Sequence, residues 1–547
     1  MQPTIVSQWR WRSGLLACVI VLPFAGFLAS NHYPAVRIEA AAALGVLAGI
    51  CGLLAAVFRK TAFYIVLLLS GSAVAAGPAR RELTGLYTCP LLLVWLALAL
   101  AGGALMLVAG EKFLRILAVF AVSGFAAHWH QAAGLRSGLA AQPGGDGHHP
   151  AHFLYLVLDE HMGPGGLPAG IGESAEAAGS IRETFRRYGF RLYPNAYSNF
   201  ANTVDSIPSI LRREVVPGRR SLLNQGAPDA FGRYCADVAP FFGEFRRRGY
   251  EICVIECRWL RWSGADPARR IDYTPDLDAL AGAGIPWTEK FRVLVGNYQA
   301  SDLILSRVRG FFPFRFAAKQ IGPLSVTAIW PDVLANEILR ARRPTFFFAH
   351  LLTPHGPYLL RKDGSVRRLQ EWRLDQGYRA MPKELYADQY RRYCEQVEFV
   401  QSQLRRFFAR LEEESALDPM TVVVHGDHGS RIRLATASGG GAPDEYDYPG
   451  TPDRQDLLDR FSALLAIKLP GVREASVSER WTSIPQVLAE TVYEGEGREP
   501  GPAAGSVFLF DGEGKPREVR LAEVTESGGR EAGIPRGGIP AFRPGGN

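Results

Sequence analysis

The stretch HFLYLVLDE, residues 152–160, sets six consecutive apolar residues directly before two acids. A short apolar run without alternation is typical of a strand that is buried on both faces of a sheet. The same pattern recurs in YEICVIEC (250–257), PTFFFAHLL (344–352), MTVVVHGDHG (420–429) and FSALLAIKLPG (461–471). The sequence therefore predicts a series of buried strands in this part of the chain.

Two helical patterns lie between these strands. SIRETFRRYGF (180–190) predicts a helix that ends at Gly189. Residues 388–414 carry apolar side chains at intervals of three and four, which form one face of a helix. These side chains are Tyr390, Cys394, Val397, Val400, Leu404, Phe408 and Leu411. Strands that alternate with helices predict an α/β fold with a layered sheet.

Acids and imidazoles follow three of the predicted strands. In α/β sheets, functional sites gather in the loops that follow the carboxyl ends of the strands. The residues in these positions are Asp159, Glu160, His350, His355, Asp427 and His428. A single acid there is explained better by the end of a strand or the cap of the next helix. The whole set favours one shared site.

A cluster of hydroxyl groups lies in NAYSNFANTVDSIPSIL, residues 195–211, which contains Thr203, Ser206 and Ser209. Two carboxylates, an imidazole and a hydroxyl suit one divalent cation. Carboxylate and water ligands alone favour magnesium or calcium, whereas an added imidazole favours zinc or manganese. A hydroxyl bound to such a cation loses its proton more easily and becomes a nucleophile.

These motifs together resemble the alkaline phosphatase superfamily, in particular its sulfatase branch and the membrane-bound phosphoethanolamine and phosphoglycerol transferases. The resemblance covers about residues 151–490. It is carried, in the family's order, by LYLVLDE, NAYSNFANTVDSIPSIL, HLLTPHGPY, VVVHGDHG, LLAIKLPG and WTSIPQVL. It implies an alkaline-phosphatase/sulfatase-like α/β sandwich domain.

The resemblance also implies roles for individual residues. Asp159, Asp427 and His428 match metal ligands, and Thr203 would bind the same metal as the nucleophile. His350 and His355 match histidines that contact the substrate or the leaving group. Glu160 stands where sulfatases have a second Asp, and its role stays open.

Two hydroxyls compete as the nucleophile. Sulfatases use Cys or Ser in Cys/Ser-x-Pro-x-Arg, which matures to formylglycine, but SIPSI puts Ile210 where Arg is required. The sulfatase nucleophile lies six residues after the Tyr of an NAY-like segment, and six residues after Tyr197 is Thr203. The transferases use Thr, and TVD resembles their Thr-x-Asp. Thr203 is favoured and Ser206 is the alternative. The family's Thr-Gly after this helix is replaced by Arg212–Arg213, which would grip an anionic head group or lie at the surface.

Residues 1–135 are mostly apolar, and a membrane-spanning helix needs roughly 20 apolar residues. Five segments qualify, namely 13–30, 40–58, 61–77, 90–110 and 113–132. Most of the basic loop residues fall on one side of such an arrangement, with Arg80 and Arg81 on the other. The sequence thus predicts a multi-pass protein of the inner (plasma) membrane whose part after residue 135 lies on the outer, periplasmic side.

The remaining chain divides into further predicted segments. Residues 136–150 form a Gly/Pro-rich linker, 151–493 the catalytic domain, and 494–547 a hairpin with a disordered tail. The seven cysteines form no framework, and disulfides among Cys235, Cys253, Cys257 and Cys394 stay open. The net charge of +7 over 547 residues gives no argument for nucleic acid.

Three hypotheses about function follow. The first is a membrane-anchored metalloenzyme that attacks a phospho- or sulfo-ester with Thr203 and passes the group to a lipid or an envelope glycan. The second is a sulfatase on the same fold. The third is a catalytically silent binding protein of the envelope. The combination of Asp159, Thr203, Asp427 and His428 favours an enzyme with one divalent metal ion.

Overall fold

The structure is a computed structural model. It describes residues 37–57, 150–212, 234–273 with short gaps, 322–368, 385–433, 453–492, 506–510 and 516–520, together with a few single positions. Three predicted spans (61–77, 90–110 and 113–132), nearly all of 13–30 and the linker up to residue 149 lie outside these residues. Helix α1, Ile38–Val57, overlaps the second predicted span. Among the described residues, no helix meets the length and hydropathy that a membrane crossing requires.

The chain after residue 150 alternates strands and helices. Its described helices are α2 (Gly172–Arg187), α3 (Thr203–Arg212), α4 (Ala239–Arg247), α5 (Gly322–Arg340), α6 (Tyr386–Glu413), α7 (Arg454–Phe461) and α8 (Ile484–Thr491). Its described strands are β1 (Phe153–Leu158), β2 (Arg191–Leu192), β3 (Ala196–Tyr197), β4 (Tyr234–Asp237), β5 (Glu251–Cys257), β6 (Leu260–Ser263), β7 (Arg269–Tyr273), β8 (Thr345–Leu351), β9 (Thr421–Gly426), β10 (Leu465–Lys468), β11 (Ser476–Val477), β12 (Thr482–Ser483), β13 (Ser506–Phe510) and β14 (Pro516–Arg520).

The central element is an eight-stranded sheet with the order β11-β2-β10-β9-β1-β8-β5-β7. Strands β9, β1, β8, β5 and β7 are parallel, and β10 is antiparallel to β9. The predicted α/β architecture is confirmed. Leu158 at the end of β1 pairs with Leu351 of β8 and with Gly426 of β9. The loops after these three strands therefore start at the same edge of the sheet.

Strand β1 separates two apolar layers, and all six of its residues are buried. Leu154, Leu156 and Leu158 face the cluster that contains the apolar sides of α2, α5 and α6. Phe153, Tyr155 and Val157 face the cluster that contains residues of α3, α4 and α8. Each fully buried side chain of this size stabilises the fold by about 1.5–3 kcal/mol. Burial on both faces explains why the sequence of β1 does not alternate.

The predicted helices form with shifted ends. Helix α6 runs from Tyr386 to Glu413, and its predicted apolar face is buried. Helix α2 starts eight residues before the predicted segment and ends at Arg187, followed by Gly189 with a φ of 71°. Many helices are followed by a residue in this left-handed conformation, which glycine adopts without strain.

Strands β13 and β14 form an antiparallel hairpin near the C-terminus. The hairpin packs on the segment just before α3. Asn199 Nδ2 donates to Ser506 O at 2.8 Å, and Phe508 N donates to Asn199 O at 3.0 Å. The rings of Phe200 and Phe508 stack at 5.6 Å. The contact crosses the predicted domain boundary at residue 493.

Two of the four cysteines whose pairing stayed open lie in the described core. Cys253 and Cys394 are both buried, and neither forms a disulfide. Burial raises the pKa of the Cys394 thiol to about 12, so this group stays protonated and unreactive at neutral pH.

Candidate functional site

The parallel register brings three side chains together at the edge of the sheet. Asp159 follows β1, His350 lies in β8 and Asp427 follows β9. The ligand atoms of these residues all lie within 4.8 Å of one another. His350 Nε2 lies 3.2 Å from Asp159 Oδ2, and all three side chains are fully buried.

His428 and Thr203 complete this cluster. His428 Nε2 lies 3.3 Å from Asp427 Oδ2, 3.9 Å from Asp159 Oδ1 and 3.2 Å from Thr203 Oγ1. His428 Nδ1 donates a hydrogen bond to the carbonyl oxygen of Gly429 at 2.8 Å. The lone pair of Nε2 therefore faces the carboxylates and the hydroxyl. We call Asp159, Thr203, His350, Asp427 and His428 the inner group.

Thr203 is the first residue of α3. The first backbone N–H groups of a helix have no partner within the helix, and they carry a partial positive charge. An anionic group bound beside Thr203 would therefore meet these donors. The helix places the hydroxyl at the inner group and presents a site for an anion in the same position.

The two carboxylates of the inner group ionise differently. Burial raises the pKa of Asp159 well above its ordinary value, and the charge of Asp427 raises it further. Burial also opposes ionisation of Asp427, but His428 and His350 hold its pKa below the ordinary value. Asp427 Oδ1 accepts hydrogen bonds from the backbone N–H groups of Glu160 and His428, both at 2.9 Å. Two buried carboxylates this close do not both ionise readily without a cation.

The remaining carboxylate oxygens fit such a cation. Within the described part of the chain, Asp159 Oδ1 and Asp427 Oδ2 are buried and accept no hydrogen bond. Leaving a buried charged acceptor unsatisfied is costly, so such atoms indicate a missing partner. Both oxygens face His428 Nε2. Two carboxylate oxygens and an imidazole nitrogen are a donor set that suits zinc or manganese.

A second group lies next to the first. Glu160 Oε1 lies 2.6 Å from Arg431 Nη2 and 3.6 Å from His355 Nε2, and Glu160 Oε2 accepts from Gly356 N at 3.0 Å. Burial works against the charge of Glu160, but His355 and Arg431 hold its pKa below the ordinary value. We call Glu160, His355 and Arg431 the outer group.

His355 is the part of the outer group that reaches solvent. Its side chain is 19% exposed, whereas that of Glu160 is 2% exposed. His355 Nδ1 donates to the carbonyl oxygen of Gly356 at 2.6 Å. Burial lowers the pKa of His355, but the carboxylates of Glu160 and Asp159 outweigh it and raise the pKa above its ordinary value. The neighbouring carboxylates therefore favour the protonated form of the imidazole, at the part of the outer group that reaches solvent.

The structure separates the competing hydroxyls. The Thr203 hydroxyl lies beside His428, whereas Ser206 donates to the backbone carbonyl of Asp427 and lies 2.8 Å from Ser198 Oγ. Ser206 is fully buried. Arg212 ends α3, nine residues after Thr203, which is about 13.5 Å along a helix axis. Arg212 is therefore at the end of the helix opposite to the site, and Arg213 lies outside the described residues.

The structure places His350 away from solvent and adds one residue to the site. His350, which matched a substrate contact, is fully buried against Asp159. Arg431 is new to the site. The sequence contains no signal that separates Arg431 from Arg433 two residues later, and Arg433 pairs with Asp453 and Asp456 instead.

Comparison with known proteins agrees with the motifs. Residues 299–455 match the family model of the sulfatases. The matched range contains His350, His355, Asp427 and His428, whereas Asp159 and Thr203 precede it. No curated protein matches the chain in sequence.

Several solved structures are similar to this chain. The phosphonate monoester hydrolase of Agrobacterium radiobacter is 14% identical, with 66% of this chain and 80% of that chain covered and a TM-score of 0.37. The lipoteichoic acid synthase LtaP from Listeria monocytogenes is 12% identical, with 66% and 78% covered and a TM-score of 0.35. The C-terminal periplasmic domain of EptC from Escherichia coli is 10% identical, with 71% and 96% covered and a TM-score of 0.37. With TM-scores below 0.5, none of these similarities bears on the activity. Residues 299–455 thus match the sulfatase family, and the α/β sheet agrees with the sulfatase-like domain that the motifs predict.

Proposed function

We propose that the protein is a metal-dependent enzyme that transfers a phospho-substituent from an ester donor to a lipid or an envelope glycan through a covalent intermediate on Thr203. One observation carries the proposal. Thr203 Oγ1 lies 3.2 Å from His428 Nε2, beside two buried carboxylate oxygens that accept no hydrogen bond within the described chain. A hydroxyl in this position is ready to be activated by a cation that those oxygens hold.

The inner group supplies the ligands. Asp159, Asp427 and His428 would hold the cation, with Thr203 beside it. When bound, a divalent cation lowers the pKa of a ligating hydroxyl and polarises a phosphoryl or sulfuryl oxygen. The two backbone N–H groups that bind Asp427 Oδ1 fix the orientation of this carboxylate.

The chain's own residues account for the rest of the reaction. In the first step, Thr203 Oγ forms a bond to phosphorus and its proton passes to solvent. The bond from phosphorus to the leaving oxygen breaks, and His355 gives its proton to that oxygen. In the second step, an acceptor hydroxyl bonds to phosphorus, the bond to Thr203 breaks, and His355 takes the acceptor's proton. Thr203 then regains a proton from solvent.

The sulfatase alternative has less support. It needs formylglycine at position 206, but the Ser206 hydroxyl is buried and donates to the carbonyl of Asp427. It also needs an arginine at position 210, where Ile210 is 1% exposed within an apolar cluster. An arginine there would bury an unpaired charge. These contacts favour direct attack by Thr203.

The third alternative, a silent binding protein, also has less support. A chain without catalytic use for the inner group has no need for two buried carboxylate oxygens that lack partners. The choice of acceptor rests on the predicted membrane spans, since an enzyme anchored with its domain on the outer face meets lipids and envelope glycans first.

The peptide that contains residues 195–211 tests the proposal. Purified full-length protein is mixed with a phosphodiester donor, quenched with acid, digested and analysed by mass spectrometry. We expect a phospho-adduct on Thr203 that disappears when an acceptor is added. Formylglycine at position 206 would support the sulfatase alternative. A peptide that remains unmodified while the donor turns over would contradict a covalent Thr203 intermediate.

A further inference from the structure

The outer group raises the question of a second cation. The ligand atoms of Asp159, Glu160 and His355 also lie within 4.8 Å of one another. Geometry alone would therefore admit a metal ion there, next to the one in the inner group. We propose that Arg431 keeps this second position free of metal, because its guanidinium supplies the positive charge that a second cation would bring. The inference rests on the proposed function, since it assumes one cation in the inner group.

The contacts of Glu160 support this role. Arg431 Nη2 lies 2.6 Å from Glu160 Oε1, and the two side chains are 5% and 2% exposed. The other oxygen, Oε2, accepts from the backbone N–H of Gly356. Both oxygens of Glu160 therefore have partners, unlike Asp159 Oδ1 and Asp427 Oδ2. The carboxylate that would attract a second cation is already neutralised by the chain.

The charges of the inner and outer groups also support this role of Arg431. In the inner group, Asp159 Oδ1 and Asp427 Oδ2 accept no hydrogen bond within the described chain, and a divalent cation would balance their charge. The charge of Arg431 also acts on Asp159, but burial and Asp427 outweigh it and raise the pKa of Asp159. In the outer group, Glu160 and Arg431 balance each other. A second divalent cation would share Asp159 and lie beside a guanidinium that is always protonated. In a buried site this repulsion is only weakly screened.

The backbone holds Arg431 in place. Arg431 and Glu160 have φ angles of 57° and 61°, a left-handed conformation that is unfavourable for residues other than glycine. Such a conformation persists only where surrounding contacts fix it. Arg431 N donates to Asp459 O at 3.1 Å, and the Asp459 carboxylate accepts from Ser430 Oγ, Ile432 N and Arg433 N. The loop is thus anchored to α7, which fixes the position from which the Arg431 side chain reaches Glu160.

This arrangement has a consequence for His355. A second metal ion would bind His355 Nε2 and remove the proton donor of the proposed reaction. By keeping the position free of metal, Arg431 leaves that nitrogen available to the leaving oxygen. Arg431 is therefore a positioning residue, which acts through Glu160 and His355.

Metal stoichiometry tests the inference without reference to activity. Bound metal is removed from the full-length protein with a chelator, and the protein is equilibrated with excess zinc chloride and desalted. The zinc content per chain is then measured by elemental mass spectrometry. We expect about one zinc in the wild type and about two in Arg431→Gln, which loses the charge but keeps much of the volume. Arg431→Lys keeps the charge and should bind about one. Arg431→Gln combined with Glu160→Gln removes a ligand and should return to about one.

The outcomes are distinct. Two zinc ions in the wild type, or one in an Arg431→Gln variant whose near-UV circular dichroism is unchanged, would overturn the inference and leave the proposed function intact. No zinc in any variant would count against the proposed function itself, and the inference would fall with it. Arg431→Ala serves as a second neutral variant if Arg431→Gln does not fold, with the same expected gain.

Discussion

The inner and outer groups lie side by side at one edge of the sheet, share the same kind of side chains and differ in how their charge is balanced. Both combine carboxylates with histidine in a buried setting. The outer group contains Arg431, which pairs with Glu160 at 2.6 Å. The inner group has no such residue, and two of its carboxylate oxygens accept no hydrogen bond within the described chain.

This difference indicates which of the two groups would bind an exchangeable cation. A buried carboxylate needs a positive partner, and the chain either supplies one permanently or leaves the place for an ion from solution. In the proposed enzyme, the outer group is complete as folded and would orient His355. The inner group would become complete only with a cation from solution.

The largest expected effect comes from the hydroxyl of the inner group. Thr203→Ala removes the proposed nucleophile, so turnover of a phosphodiester should fall by at least about 10⁴-fold. Zinc binding should persist, because Asp159, Asp427 and His428 remain. Steady-state rates and zinc content of the purified variant check both statements. Thr203→Ser is the matched control and should retain part of the activity. Near-normal turnover by Thr203→Ala would remove the nucleophile from the proposal.

The next effect compares one carboxylate from each group. Asp427→Asn keeps an oxygen for the two backbone N–H groups but loses the charge, so the variant should lose its metal and about 10³-fold in rate. Glu160→Gln removes no ligand of the inner group. It should keep the metal and lose only about 10–100-fold. The zinc content and the reaction rate of both variants, measured in parallel, test this difference. Equal loss of metal in both variants would contradict the assignment of the cation to the inner group alone.

A smaller effect is expected at the exposed end of the outer group. His355→Gln removes the proposed proton donor and should lower the rate by about 10²-fold for an alkyl phosphodiester. The loss should be much smaller for a p-nitrophenyl ester, because that leaving group departs without a proton. Comparison of the two substrates is the measurement. An equal loss for both would indicate that His355 binds the substrate and does not protonate the leaving oxygen.

The smallest effect concerns stability. A cation that binds only the folded chain stabilises it by about 2.7 kcal/mol at a concentration 100 times its dissociation constant. Chelation should therefore lower the midpoint of thermal unfolding by a few degrees. The Asp427→Asn variant should not respond to chelator, whereas Glu160→Gln should respond like the wild type. Thermal unfolding with and without chelator checks this, and a response in Asp427→Asn would place the cation elsewhere.

Local patterns in the sequence were enough to predict much of this site. Continuous apolar runs predict the buried strands β1, β8 and β9, because burial on both faces leaves no room for alternation. The residues after those runs predict where polar side chains gather. Motif order and the spacing from Tyr197 to Thr203 pointed to the hydroxyl that the structure places 3.2 Å from His428.

Local sequence patterns could not predict the contacts between segments that are far apart in the chain. Nothing local distinguishes Arg431, which is buried against Glu160, from Arg433, which pairs with Asp453 and Asp456. The hairpin of β13 and β14 could be predicted from its own sequence, but its contact with Asn199 could not, since the two partners are about 300 residues apart.

The sequence by itself determined the α/β class, the buried strands of the central sheet and the kinds of polar residues that follow them, because these depend on the period of apolar residues and on residue type. The tertiary structure decided which carboxylate has its negative charge balanced by another side chain, namely Glu160 by Arg431. That outcome depends on a strained loop that carries Arg431 to Glu160 and on a register that aligns the ends of three strands. Charge balance in a buried site depends on distances of a few ångströms, and only the folded chain fixes them.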